Sequence, residues 1–174
     1  LPLDQRVDHS TLIVEGKVVA KQAYWDANHQ RIYTSNTVEV YKIFKGSLSS
    51  GQIEVLSDGG TVGDMTMTVD PSLQLKINDI GIFNCIPISP SHFAVSPDNN
   101  DPLPKYDTYG SAQGFIQYDL RDASANDVFK KYTNIQTELY DKISSVSGVG
   151  KYAEIKVFNI NSVVQSKGTM KMAA

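Results

Sequence analysis

Cysteine is almost missing from this sequence: Cys85 stands alone among 174 residues. A single thiol excludes an internal disulfide and any zinc cluster built from thiolates. Tryptophan is equally scarce, with Trp25 the only one. No apolar run approaches the roughly 20 residues that a membrane-crossing helix needs. Basic clusters are absent as well. The 16 Lys and Arg residues are scattered, with 130 and 131 the only adjacent pair, and the net charge is −3. The electrostatic footprint of a nucleic-acid partner is therefore not there.

Several chemical signatures are missing too. His9, His29 and His92 are isolated in sequence, and no "HExxH" brings two imidazoles onto one helical face. No "GxSxG" elbow offers a serine nucleophile. The glycine-dense "SDGGTVGDMT" lacks the lysine and hydroxyl of a phosphate loop and opens no helix, so it reads as a bend with at least one residue at positive φ. No cofactor and no catalytic residue are implied. The chain begins at Leu1 without a leader, as a processed or trimmed chain does, so the lack of a signal peptide says nothing about secretion.

What is there is β-forming alternation. In "TLIVEGKVVAKQAYW", Leu12, Val14, Gly16, Val18 and Ala20 fall on one face, and Glu15, Lys17 and Lys21 on the other. This is the period of a half-buried strand, with Gly16 marking a bulge or bend. A turn over "DANHQ" leads to a second long strand, "RIYTSNTVEVYKIF", which Lys45 and Gly46 close. Short strands follow at "IEVLS", "MTMTVD", "IGIFNCIPI" and "GFIQYD", with "HFAVSP" and "YAEIKVFNI" as further candidates. Ile135, Leu139 and Ile143 recur at helical spacing, with Thr133 or Asn134 as cap and Gly148 as stop. The opening "LPLDQRVDHS" reads as either a short helix or a loop.

These patterns predict a mainly β fold: an antiparallel, OB-like Greek-key barrel with one α-helix, about residues 134–146, in the C-terminal half. Residues 1–160 form a single domain and residues 161–174 a tail.

The segments "STLIVEGKVVAKQAYWD", "RIYTSNTVEVYKIFKG", "IEVLSDGGTVGD" and "INDIGIFNCIP", with the later "YGSAQGFIQYD", resemble an N-terminal β-module of secreted, multidomain proteins of the Bacteroidetes type. The resemblance spans roughly residues 5–145. Such modules precede immunoglobulin-like, metallopeptidase or sorting domains. The first half is also similar to the netrin and tissue-inhibitor type of OB-fold barrel, without the cysteines through which those inhibitors grip a zinc. The resemblance implies a secreted or cell-surface bacterial protein. In it this module acts without catalysis, in protein interaction or adhesion, or as partner of a downstream domain of the same polypeptide.

Two alternatives accompany that reading. One is glycan binding: sugar rings stack on exposed aromatics while amides and carboxylates meet the hydroxyls. Tyr24, Trp25, Asp26, Asn28, His29 and Tyr33 supply both kinds of group, and Tyr106, Tyr109 and Tyr118 flank a long polar loop. Against it, Trp25 and Tyr33 facing each other across the hairpin would simply lock its strands, and this structural role is the expected one. The other alternative is a prodomain or inhibitor-like role towards a metallopeptidase. It would need an exposed Cys85, whereas "IFNCIPI" predicts a buried one. Asp98, Asn100 and Asp101 could offer hard oxygens to Ca2+, but Asx-rich turns need no ion.

Overall fold

The computed structural model describes residues 1–88 and 103–164. The "HFAVSP" segment, His92 and the Asp98, Asn100 and Asp101 set lie outside the described residues.

A short helix, α1 (Leu3–His9), precedes two 14-residue strands, β1 (Leu12–Trp25) and β2 (Ile32–Lys45). Then come β3 (Gln52–Asp58), the small hairpin β4 (Gly60–Val62) and β5 (Met65–Met67), and β6 (Ile80–Pro87). After β7 (Lys105–Thr108), β8 (Phe115–Asp119), β9 (Ser124–Asn126) and β10 (Lys131–Tyr132), a π-helical turn (Gln136–Tyr140) runs into α2 (Asp141–Ser147). The last strand, β11, is only Ala153–Glu154.

The protein is mainly β, and its large sheet is mixed rather than wholly antiparallel. The strand order is β1-β2-β3-β7-β6-β8-β9-β10, with β6 also pairing β1 and β11 pairing β2. β3 and β7 run parallel, through Glu54 opposite Lys105 and Val55 opposite Tyr106. A mainly antiparallel barrel was the expectation, and this pairing is the departure from it. The parallel step arises because β6 and β7, themselves antiparallel, carry the chain back to the free edge of β3.

Side-chain alternation along β1 separates two cores. Leu12, Val14 and Val18 pack with Val38, Val40, Ile53, Val55 and Phe83. Ile13 points the other way, towards Phe44, Ile82, Ile116, Leu139 and Ile143. The helical stripe Ile135, Leu139 and Ile143 is buried as its spacing predicts, each side chain contributing roughly 1.5–3 kcal/mol. Asn134 Oδ1 accepts from the Thr137 N–H at 3.0 Å, and Glu138 Oε2 accepts from the Asn134 N–H at 2.7 Å, a reciprocal cap. Gly148 ends the helix. The stripe lands on the face of β1 and β2 that alternation alone would leave to water. The half-buried reading of β1 is thereby corrected: its first half is covered on both sides.

Gly16 marks a register shift, as its place in the alternation predicts. A Cβ there would come within 2.5 Å of the Glu39 carbonyl oxygen, so the two backbones approach as only glycine permits. In "DGGTVGD", Gly59, Gly60 and Gly63 all take positive φ. The predicted strand "YAEIKVFNI" shrinks to two residues. The N–H groups of Ile155 and Lys156 both donate to the Tyr41 carbonyl, at 2.8 and 3.1 Å, which ends the ladder and turns the chain away.

Candidate functional site

β1 and β2 outrun most of the sheet. β1 pairs with β6 only from Leu12 to Lys17, while its pairing with β2 continues to Trp25 opposite Ile32. β3 accompanies β2 over this stretch, from Gln52 opposite Glu39 to Asp58 opposite Tyr33. The result is a three-stranded arm whose β1–β2 turn covers residues 26–31. Asp26 builds that turn. Its Oδ1 accepts from the Gln30 N–H at 2.7 Å and the Arg31 N–H at 3.2 Å. The Gln30 backbone hydrogen bond, with help from that of Arg31, holds the Asp26 carboxyl below its ordinary range despite opposing desolvation. His29 takes a positive φ of 53° and stacks on Trp25, ring centroids 5.6 Å apart.

Trp25 does not face Tyr33. The cross-strand partner of Tyr33 is Tyr24, and both rings are buried. A pairing offset by one residue turns a side chain to the other face of a ladder, so the aromatic lock is Tyr24–Tyr33. Trp25 and Asp26 are half-buried, and Asn28 and His29 are exposed.

Tyr106 and Tyr109 belong elsewhere. Tyr106 is partly buried against the Leu12–Val14 core, where burial, helped by Cys85, raises its phenol above the ordinary value. Tyr109 stacks on His9 of α1 at 5.3 Å and accepts from Gln5 Nε2 at 3.2 Å. The Tyr109 N–H donates to the Asn84 carbonyl, and Asn84 sits opposite Ile13, so this group lies at the start of β1 and the Trp25 group at its end. At about 3.3 Å per residue, some 40 Å of strand contour separates them. One aromatic platform is not assembled from both.

A different cluster forms where β1, β2, β8 and the helical turn meet. Glu15 and Lys42 are direct cross-strand neighbours. Lys42 Nζ donates to Glu15 Oε1 at 2.8 Å and to the Phe158 carbonyl at 2.7 Å. Tyr118 OH donates to Glu15 Oε2 at 2.5 Å, and Tyr140 OH donates to the same oxygen. Glu15 is 0% exposed and Lys42 2%. Burial and then the Glu15 charge push both tyrosines well above the ordinary phenol value. The Lys42 ammonium also lies 5.6, 5.7 and 5.8 Å from the ring centroids of Tyr140, Tyr152 and Phe158, an aromatic cage that partly replaces its lost hydration.

The lid of this cage is the C-terminal strap, residues 153–161. It is tied down by the β11 pairing, by Phe158 stacked on Tyr41 at 4.9 Å, and by the ion pair Lys156–Glu39. Between the strap, the helical turn and β2 lies a cavity of about 400 Å3.

Elsewhere, Arg6 reaches Asp127 Oδ2 at 2.9 Å and the Gln113 carbonyl at 2.8 Å, and Tyr132 OH donates to Asp127 Oδ2 at 2.6 Å. This network fastens α1 to the β9–β10 hairpin. Cys85 is fully buried, and burial pushes its thiol far up, as expected of an inert core residue.

Sequence reasoning missed Glu15, Lys42, Tyr140 and Phe158. One signal could have found them. The apolar helical stripe needs a surface to cover, and the outer face of β1 and β2, carrying Ile13, Glu15 and Tyr41, offers one. No known family model matches the chain, and no curated protein matches it.

Proposed function

We propose that this chain is a non-catalytic recognition module, an OB-like barrel that presents the β1–β2 arm to a macromolecular partner. The observation that carries this reading is the arm itself: β1 and β2, backed by β3 as far as Tyr33, extend beyond the β6 pairing and end in a turn that Asp26 fixes and the Trp25–His29 stack decorates. An aromatic set on a preorganised turn loses little conformational freedom on binding, which favours contact with a partner. The circuit β1-β2-β3-β7-β6-β1, with its parallel β3–β7 step, supports the OB-like, Greek-key assignment.

The sequence resemblance to N-terminal modules of Bacteroidetes-type secreted proteins supports a secreted or cell-surface setting. The partner is then a downstream domain of the same polypeptide or an extracellular protein. A sugar platform at the tip draws less support, because Tyr24 and Tyr33 are buried and His29 already covers a face of Trp25. A prodomain role through Cys85 draws none, given the thiol's burial.

Because Cys85 is buried, a cysteine introduced at the tip can be labelled selectively. Asn28→Cys carrying a photo-crosslinker, in the full-length protein, is expected to give discrete adducts with a downstream domain or an extracellular protein. The same label at Lys151 serves as control. Adducts no more frequent at position 28 than at position 151 would overturn the arm as the contact surface.

A further inference from the structure

We propose that the cavity under the C-terminal strap is a binding site for a small, neutral, polyhydroxylated ligand, a monosaccharide or one unit of a glycan. At about 400 Å3 the cavity falls within the range of small-molecule sites. It is distinct from the arm.

The charges around it exclude other classes of ligand. Asp122, Glu154 and Lys42 line it; Lys131 pairs with Asp122 and Glu15 with Lys42, which leaves the Glu154 carboxylate as the uncompensated charge of the wall. A phosphate or carboxylate would therefore enter against that negative charge. An amine fares no better. The aromatic cage that would host a cation already holds the Lys42 ammonium, within 6 Å of three rings. An apolar ligand would strip water from amide groups and return no hydrogen bonds.

The hydrogen-bonding groups left over fit hydroxyls. Asn134 and Asn159 each commit Oδ1 to a backbone N–H, of Thr137 and Asn161 respectively, which leaves their amide N–H groups as donors. The Glu154 carboxylate has no partner among the described residues and is an acceptor. Asn161 offers both kinds. The wall thus carries both donors and acceptors, as hydroxyls that both give and take hydrogen bonds require. Tyr152, partly buried, supplies ring surface for the apolar face of a pyranose, while Phe158 lines the wall with its ring already stacked on Tyr41. Asp122 is already bonded to Ser124 and Lys131 and shapes the rim.

Strap residues 154 and 157–161 form one wall, so an occupied cavity holds the strap closed. Binding is therefore read on backbone amides. The whole chain is titrated with glucose, galactose, mannose, xylose and N-acetylglucosamine and their β-linked disaccharides, followed by amide NMR shifts and hydrogen exchange. At least one is expected to give saturable shifts at residues 133–136 and 152–161, with slower exchange across the strap. Tyr152→Ala is expected to weaken that binding about tenfold, the loss of one stacking surface. Asn159→Ala is expected to weaken it severalfold, and unchanged shifts elsewhere in the spectrum establish that each variant is folded. Trp25→Ala leaves it unaltered, which separates this site from the arm. The proposal is overturned if no sugar moves the strap amides, if the shifts cluster at residues 25–31 instead, or if inorganic phosphate or methylammonium binds the cavity more tightly than any sugar.

Discussion

Glu15 and Lys42 face each other across β1 and β2, 2.8 Å apart, with neither side chain reaching solvent. The pair works as a post. Two tyrosines, from β8 and the helical turn, bond to the carboxylate, and the strap carbonyl of Phe158 bonds to the ammonium. Three chain segments distant in sequence are thereby fixed to the centre of the sheet.

Lys42→Met is expected to leave the Glu15 charge buried with only tyrosine donors. Stability should fall by about 3–5 kcal/mol, the usual cost of breaking one side of a buried pair. For a chain of this size that is a melting point lower by roughly 10 °C. The double variant Glu15→Gln with Lys42→Met should lose clearly less than the sum of the two single losses. A single variant within about 0.5 kcal/mol of the parent by denaturant melts would mean that the pair does not hold the fold in this way.

Alkaline titration reads the same centre. Tyr118 and Tyr140 are raised by burial and by Glu15, and Tyr132 is pushed up to about 12 by burial and by its bond to Asp127. In the unfolded chain all three ionise near pH 10. The fold therefore favours the protonated phenols. The stability they bring is intact below pH about 10 and declines as pH climbs towards the folded values. Phenolate absorbance should rise in two steps, an early one from the accessible tyrosines and a late one coincident with loss of tertiary structure. A single smooth rise centred near pH 10 would contradict the burial of the three.

Gly16→Ala should cost about 1–3 kcal/mol, because the added methyl meets the Glu39 carbonyl and the backbones must part. A neutral or stabilising effect by thermal melt would show that the strands are not in that close register.

Cys85 should resist a thiol reagent in native buffer and react at once in denaturant, since it is fully buried. Reaction at the rate of a free thiol in the native state would restore the role for an exposed cysteine.

His29→Ala should brighten the fluorescence of Trp25, the only indole, by removing the stacked ring. Stability should stay within about 0.5 kcal/mol, because the residue is exposed. Unchanged emission would mean that the stack does not persist in solution.

Local signals in the sequence carried far. Period-two alternation located β1 and β2 nearly to the residue, and the cap at Asn134, the stripe Ile135–Leu139–Ile143 and the stop at Gly148 located the helix. The apolar run around Cys85 already implied its burial. These features depend on neighbours within a few residues, which is where side-chain period and backbone sterics act. The aromatic pair at the hairpin was misplaced by one residue, because turn geometry fixes register and a shift of one exchanges Trp25 for Tyr24.

What the sequence determined by itself was therefore the kind of protein: a β-rich chain with a long aromatic hairpin, one capped helix and a buried thiol. Tertiary structure alone decided that the polar face of β1 is an interior. Glu15 and Lys42 look solvated in any window of the sequence, since 27 residues separate them and their partners lie 103, 125 and 116 positions away. Only when the helical stripe settles on β1 and β2 is water excluded there, and the two charges must then satisfy each other.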